Sequence, residues 1–277
     1  MFRFLRMTTF YIKHTVRSRA FIFMVALNIV ISALLGLLLM YSTALLKSFV
    51  PGNIHGNGLP IILDERLFNF QWANIMIYIP VLSAAFFGST ALPYEYERGT
   101  IYNLASFPVN NMEIIMSKIT GATILSFAST MVLVLFQLVF FTVRFEALPG
   151  MSFLLYILIL LLVTFSDVCF AVAVSAFFKN SGYSSISFLI IYLVVFDILS
   201  LVATGSGAIP PIFIKTNTDR IIYRIFLNAD PYFLTYSFSL SPLTGIPIFY
   251  ISTILIFYSA ATILMGYIVF SLRRSLR

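Results

Sequence analysis

The chain has 277 residues, 60% hydrophobic and only 10% charged, with a formal net charge of +7. A soluble domain carries about 25% charged residues, so this composition cannot cover a water-facing fold and makes lipid the main solvent. The positive charges flank apolar runs, as loops on the cytoplasmic side of a membrane do, and this excludes a nucleic-acid partner.

In chain order, the first segment is MFRFLRMTTFYIKHTVRSR. Its charges are scattered, and no short apolar core with a small-residue cleavage site follows, so no cleaved signal is expected. At ~100° per residue, Arg3, Arg6, Lys13, His14 and Arg17 share a face with Phe10. This predicts an interfacial helix over 1–19, lying in the headgroup layer.

Six apolar runs reach the ~20 residues a spanning helix needs: 20–46, 72–93, 119–141, 152–177, 182–203 and 246–270. An even number puts both termini on one side. With that side inside, the inner segments hold eleven Lys and Arg and the outer ones six, which places both termini in the cytoplasm of a multi-pass cell-membrane protein. Pro80, within the second run, predicts a kink. The outer segment 47–71 holds Pro51, Gly52, Gly56, Gly58 and Pro60, which read as turns. The outer loop 142–151 is short. The outer segment 204–245 is longer, and Ile221, Ile222, Ile225 and Phe226 have helical spacing in it. It is too interrupted for further spans and reads as an extracellular or re-entrant segment with one or two short outer-leaflet helices. The whole of 1–277 reads as a single transmembrane domain.

The sequence holds no G-x-x-x-x-G-K-[ST] and no Gly-Lys pair, so no P-loop. His14 and His55 stand far apart, which argues against a His-based metal site. No Gly-x-Ser-x-Gly elbow is present. The single Cys169 lies in an apolar run and can form no internal disulfide. Asp167 and Asp197 lie inside the fourth and fifth runs. Carboxylates in lipid are costly and face the protein interior or a water-filled path, so both are substrate-path candidates. The competing reading is interhelical hydrogen bonding to Ser166, Thr164 or Ser200.

The segment LPYEYERGTIYNLASFPVNNMEIIMSK, from Leu92 to Lys118, concentrates charge between two apolar runs. Pro93 breaks the second span, Gly99 permits a turn that other residues resist, and Thr100 can cap a short helix from Ile101 to Phe107. Pro108 ends that helix. Asn110 and Glu113 have the spacing of a capping box for the next one. The short helix would carry Ile101, Tyr102, Leu104 and Phe107 in water, either docked on a partner or packed back on its own bundle.

The wording E-x-E-R-G-T-x-x-x-L-x-x-x-P-V-x-x-x-E-I-x-x-x-K, carried by Glu95, Glu97, Arg98, Gly99, Thr100, Leu104, Pro108, Val109, Glu113, Ile114 and Lys118, resembles the loop between spans 2 and 3 of ABC-2 type transporter permeases. The likeness extends to the basic N-terminal helix and six spans. The segment NADPYFLTYSF resembles that family's Asn-Pro-Tyr-rich stretch but departs from it in detail.

The resemblance implies an all-α integral membrane protein of six transmembrane helices, with a cytoplasmic coupling helix within 94–118. Its function would be that of the permease subunit of an ATP-driven exporter. The site residues would be Glu95, Glu97, Arg98, Gly99, Thr100, Ile101, Tyr102, Leu104, Phe107 and Pro108, set against a cytoplasmic P-loop ATPase present in two copies. ATP and Mg would bind that partner and no cofactor this chain, and a second permease subunit would complete a homodimer or heterodimer. The alternatives are an ion-coupled secondary transporter using the intramembrane Asp residues, or a non-transporting scaffold that recruits a soluble partner.

Overall fold

The computed structural model describes residues 2–41, 61–100, 110–206, 213–226 and 246–275. Among the described residues six helices are long and apolar enough to cross a membrane: Arg19–Met40, Asp64–Phe87, Asn111–Phe145, Met151–Ser175, Ser181–Ala203 and Pro247–Arg273, here spans 1 to 6. In hydrocarbon an unpaired backbone N–H or C=O costs several kcal/mol, so a helix, which pairs its own, is the expected form of each run. The protein is an all-α, multi-pass membrane protein.

Spans 2 and 4 are the inner ones, while spans 1, 5 and 6 turn much of their surface outward. Leu34, Leu158, Leu201 and Phe257 are among the exposed apolar side chains, and a water-facing fold would have to hide them. Span 4 packs against spans 2, 3, 5 and 6, and most extensively against span 6. Spans 1 and 3 are joined in the core by Asn28, whose amide donates to Ser129 Oγ at 2.6 Å. Spans 2 and 5 are joined by serines. Ser184 Oγ donates to Ser89 O at 2.6 Å, and Ser89 and Ser185 share a hydroxyl pair at 2.8 Å. In hydrocarbon such bonds hold helices together, at ~1 kcal/mol each.

Two of the spans differ from the pattern read in the sequence. Span 2 starts at Asp64, not 72, within a helix that begins at Ile61. Hydropathy hides this start because Asp64, Glu65, Arg66, Asn69 and Gln71 are charged or polar, but Asn69 and Gln71 are buried inside the bundle. Gln137 of span 3 donates to Asn69 Oδ1 at 2.9 Å, and Arg144 pairs with Asp64 at 3.0 Å. The span is also interrupted: one helix ends at Met76 and the next begins at Tyr78. Pro80 explains the break, since its ring clashes with the carbonyl of Met76, four residues back, and it has no N–H to give. Span 5 contains a π-helical turn at Ile191–Val195, an inserted residue of the kind often found at functional sites. It carries the buried Tyr192.

The N-terminal helix is Phe2–Val16. Arg17 and Ser18 form the turn into span 1, with Ser18 Oγ accepting from Phe21 N at 3.3 Å. The helix packs along the start of span 3. Tyr11 is its anchor, donating its hydroxyl to Phe87 O at 2.6 Å. Gly121 makes room for that ring, because a Cβ there would lie 2.5 Å from Tyr11 Cδ1. With the ring held at its far end, Gly121→Val should destabilise the fold by about 1–3 kcal/mol. It should also expose the Arg17–Arg19 turn to trypsin; an unchanged digestion rate would count against this anchoring.

Candidate functional site

The helix Pro93–Glu97 sits where the chain leaves span 2. Pro93 opens it instead of only breaking span 2, as suits a residue whose fixed φ fits a first helical turn. Gly99 closes it at φ +68°. A Cβ at Gly99 would meet nothing within 4 Å, so the backbone conformation alone calls for glycine there.

The side chains of this turn are tied to several helices. Glu95 accepts from the Lys118 ammonium of span 3 and from the Thr100 hydroxyl. Burial pushes the Glu95 carboxyl up, but the charge and hydrogen bond of Lys118, with Thr100, outweigh it and hold the carboxyl below its ordinary value. Glu97 accepts from Ser181 N at 2.7 Å and Ser181 Oγ at 3.0 Å. It thus places a negative charge on the N-terminus of span 5, where the helix dipole favours one. Arg98 donates to His14 Nε2 at 3.0 Å. A guanidinium has no acceptor, so Nε2 is the acceptor here. Arg98 also lies 4.2 Å over the Tyr94 ring. From the far side Arg273, at the end of span 6, lies 5.5 Å from the Tyr96 ring and donates to Ala176 O at 2.7 Å. Five residues of loop thus hold the N-terminal helix and spans 3, 5 and 6 at one end of the bundle.

Span 3 opens at Asn110, whose side chain accepts from Met112 N at 3.2 Å. The cap is the residue the spacing predicted, although its side chain takes the second amide of the helix and not that of Glu113. Of the sequence-predicted site, Glu95, Glu97, Arg98, Gly99 and Thr100 are therefore gathered in one place. Ile101, Tyr102, Leu104, Phe107 and Pro108 lie outside the described residues.

A second cluster lies inside the bundle. Lys215 Nζ is 2.5 Å from Asp167 Oδ1 and 2.5 Å from Asp219 Oδ1. Tyr192 donates to Asp219 Oδ2 at 2.5 Å. All four side chains are buried. Lys215 and Asp219 come from the short helix Lys215–Asp219, which is followed by the short helix Ile221–Arg224. Asp167 lies eight residues from Ser175, or ~12 Å along span 4. Phe213 O accepts from Tyr258, near the middle of span 6. At the other end of the segment, Phe226 packs on Tyr156, close to the opposite end of span 4. The segment 213–226 therefore enters deep between the spans and climbs toward the Met151 end of span 4. Ile221, Ile222, Ile225 and Phe226, which have helical spacing in the sequence, are all buried.

Asp167 and Asp197 thus have different partners. Asp197 is half exposed and faces Arg220 at 3.8 Å. Ser200 bonds to Asn217 at 2.7 Å and Thr164 to Leu160 O at 2.7 Å. Lys215 and Asp219 were missed as site residues. The sequence did hold a signal, an i,i+4 Lys–Asp pair in an apolar neighbourhood together with a lone Asp in a span.

A family model described as ABC-2 family transporter protein matches residues 16–196, about two thirds of the chain. The chain belongs to the ABC-2 family of transporter proteins. No curated protein matches it. As an ABC-2 permease it is a membrane subunit of an ABC transporter and not itself catalytic, and the family generally works with an ATPase partner. The matched region contains the Glu95–Thr100 turn and Asp167; Lys215 and Asp219 fall beyond it.

Proposed function

We propose that this chain is the permease of an ATP-driven exporter and that the 94–118 loop receives the stroke of a separate cytoplasmic P-loop ATPase. Two ATPase copies, carrying ATP and Mg, serve two permease subunits. The loop and both termini lie in the cytoplasm of a cell-membrane protein, as the excess of Lys and Arg on those segments supports. The observation that carries the reading is the position of the Glu95–Arg98 turn. It is bonded to the N-terminal helix, to span 3 and to the first residue of span 5. A displacement of the loop would therefore move several helices together, as a coupling device requires. Leu104 and its apolar neighbours supply the contact with the ATPase.

The test is co-purification with a P-loop ATPase, followed by measurement of permease-dependent ATP hydrolysis. Glu97→Ala combined with Leu104→Ala should leave the spans folded but lower the permease-dependent rate by about tenfold, a typical size for a lost coupling. Wild-type stimulation in that variant would defeat the coupling role, and so would transport driven by an ion gradient without ATP.

A further inference from the structure

At the end of the bundle held by Glu95–Arg98, a cavity of about 400 Å³ opens between the N-terminal helix, span 1, the end of span 2 and the start of span 5. That volume lies in the range of small-ligand sites. Its lining is divided by chemistry. Phe10, Ala20 and Phe86 supply apolar surface, while His14, Arg98 and Ser181 supply polar groups. Glu95 also lines it, but that carboxylate is already taken by Lys118 and Thr100. An adjoining cleft of about 610 Å³ shares His14 and Arg98 and adds Lys13, Arg17 and Arg19.

Three observations identify the occupant. The cavity stands where spans 1 and 5 begin, at Arg19 and Ser181, which is the level of lipid headgroups. The cavity and its adjoining cleft together carry Lys13, Arg17, Arg19 and Arg98, and the carboxylate of Glu95 is internally paired. Spans 1 and 5 both pack on the second half of span 2, and their outward faces beyond the cavity carry Ile22 and Ile186, 63% and 57% exposed. The polar cavity therefore continues into an apolar surface along the bilayer. We infer that it binds an anionic phospholipid, the phosphate against Arg98 and the basic rim and the acyl chains along spans 1 and 5. This goes beyond the proposed coupling role and needs only that the six helices span a bilayer.

The test uses the whole chain in detergent, with unfolding followed by temperature. Phosphatidylglycerol at ~100-fold excess over its Kd should raise Tm by about 5 °C, and phosphatidylcholine should not. Lys13→Gln with Arg17→Gln, both exposed at the rim, should abolish the rise, whereas Lys179→Gln, an exposed basic residue of the same end, should retain it. Equal response to the two lipids overturns the proposal, as does an undiminished rise in the rim variant or loss of the rise in Lys179→Gln. Inorganic phosphate reproducing the rise would make the occupant a free anion. Disulfide trapping between copies carrying Ile22→Cys and copies carrying Ile186→Cys would put a second copy in the groove. Either result overturns the lipid.

Discussion

Lys215→Met is expected to destabilise the protein by about 3–5 kcal/mol, because it leaves two buried carboxylates facing each other without a cation. For a chain of this size the loss should appear as a fall in Tm on the order of 10 °C. Cys169 is a free, buried thiol two residues from Asp167, so its labelling by a maleimide during heating reports the opening of this region. The decisive comparison is with the triple variant Lys215→Met, Asp167→Asn, Asp219→Asn, which removes the charges together and should recover most of the loss. Asp167→Asn alone leaves the i,i+4 pair of Lys215 and Asp219 and should cost less than Lys215→Met. If Lys215→Met unfolds at the wild-type temperature, the ion cluster does not exist as described. If Asp167→Asn folds normally but stops transport, Asp167 serves the substrate path and not only the packing of 213–226.

The cluster bears on how the segment 213–226 is kept between the spans. Neither short helix is long enough to stand alone, since isolated helices under ~12 residues are marginal. Apolar contact does not distinguish protein from lipid as a neighbour, so greasy side chains alone would not hold the segment at one depth. A buried Lys215 that must meet Asp167 gives it a fixed register. The π-helical turn of span 5 presents Tyr192, which donates to Asp219.

What the sequence made legible follows the same physics. Spans 1, 5 and 6 were readable because their surfaces face outward and their residues are almost uniformly apolar. The start of span 2 was not, because an inner helix can carry Asp64 and Asn69 when another helix pairs with them. The break in that helix was signalled by Pro80, whereas the π turn of span 5 has no comparable residue to announce it. Around the loop, Gly99 and Asn110 declare themselves through backbone chemistry that few other residues supply. That Glu95 meets Lys118, Glu97 meets Ser181 and Arg98 meets His14 is a matter of helix arrangement, which spacing along the chain does not encode.

Glu95 and Lys118 should give the second large effect, and one that reverses with pH. The pair is largely buried, its side chains 12% and 8% exposed. Because the folded-state carboxyl sits below its ordinary value of 4.5, Glu95 contributes stability that is present above that value and lost as pH falls through the lower folded one. Wild-type Tm, followed by the emission of Trp72, the single and buried tryptophan, should hold from pH 7 to about 5 and decline below. Lys118→Met removes the cation and leaves burial as the main influence on Glu95, which then favours the neutral acid. That variant should lose about 3 kcal/mol near neutrality, as a half-broken buried pair does, and regain stability as pH is lowered toward 5. Lys118→Met with Glu95→Gln should show neither the neutral-pH loss in full nor the acid recovery. A Lys118→Met protein that weakens in acid alongside wild type would mean that Glu95 is solvated, and the loop would then not be fastened to span 3 by this pair.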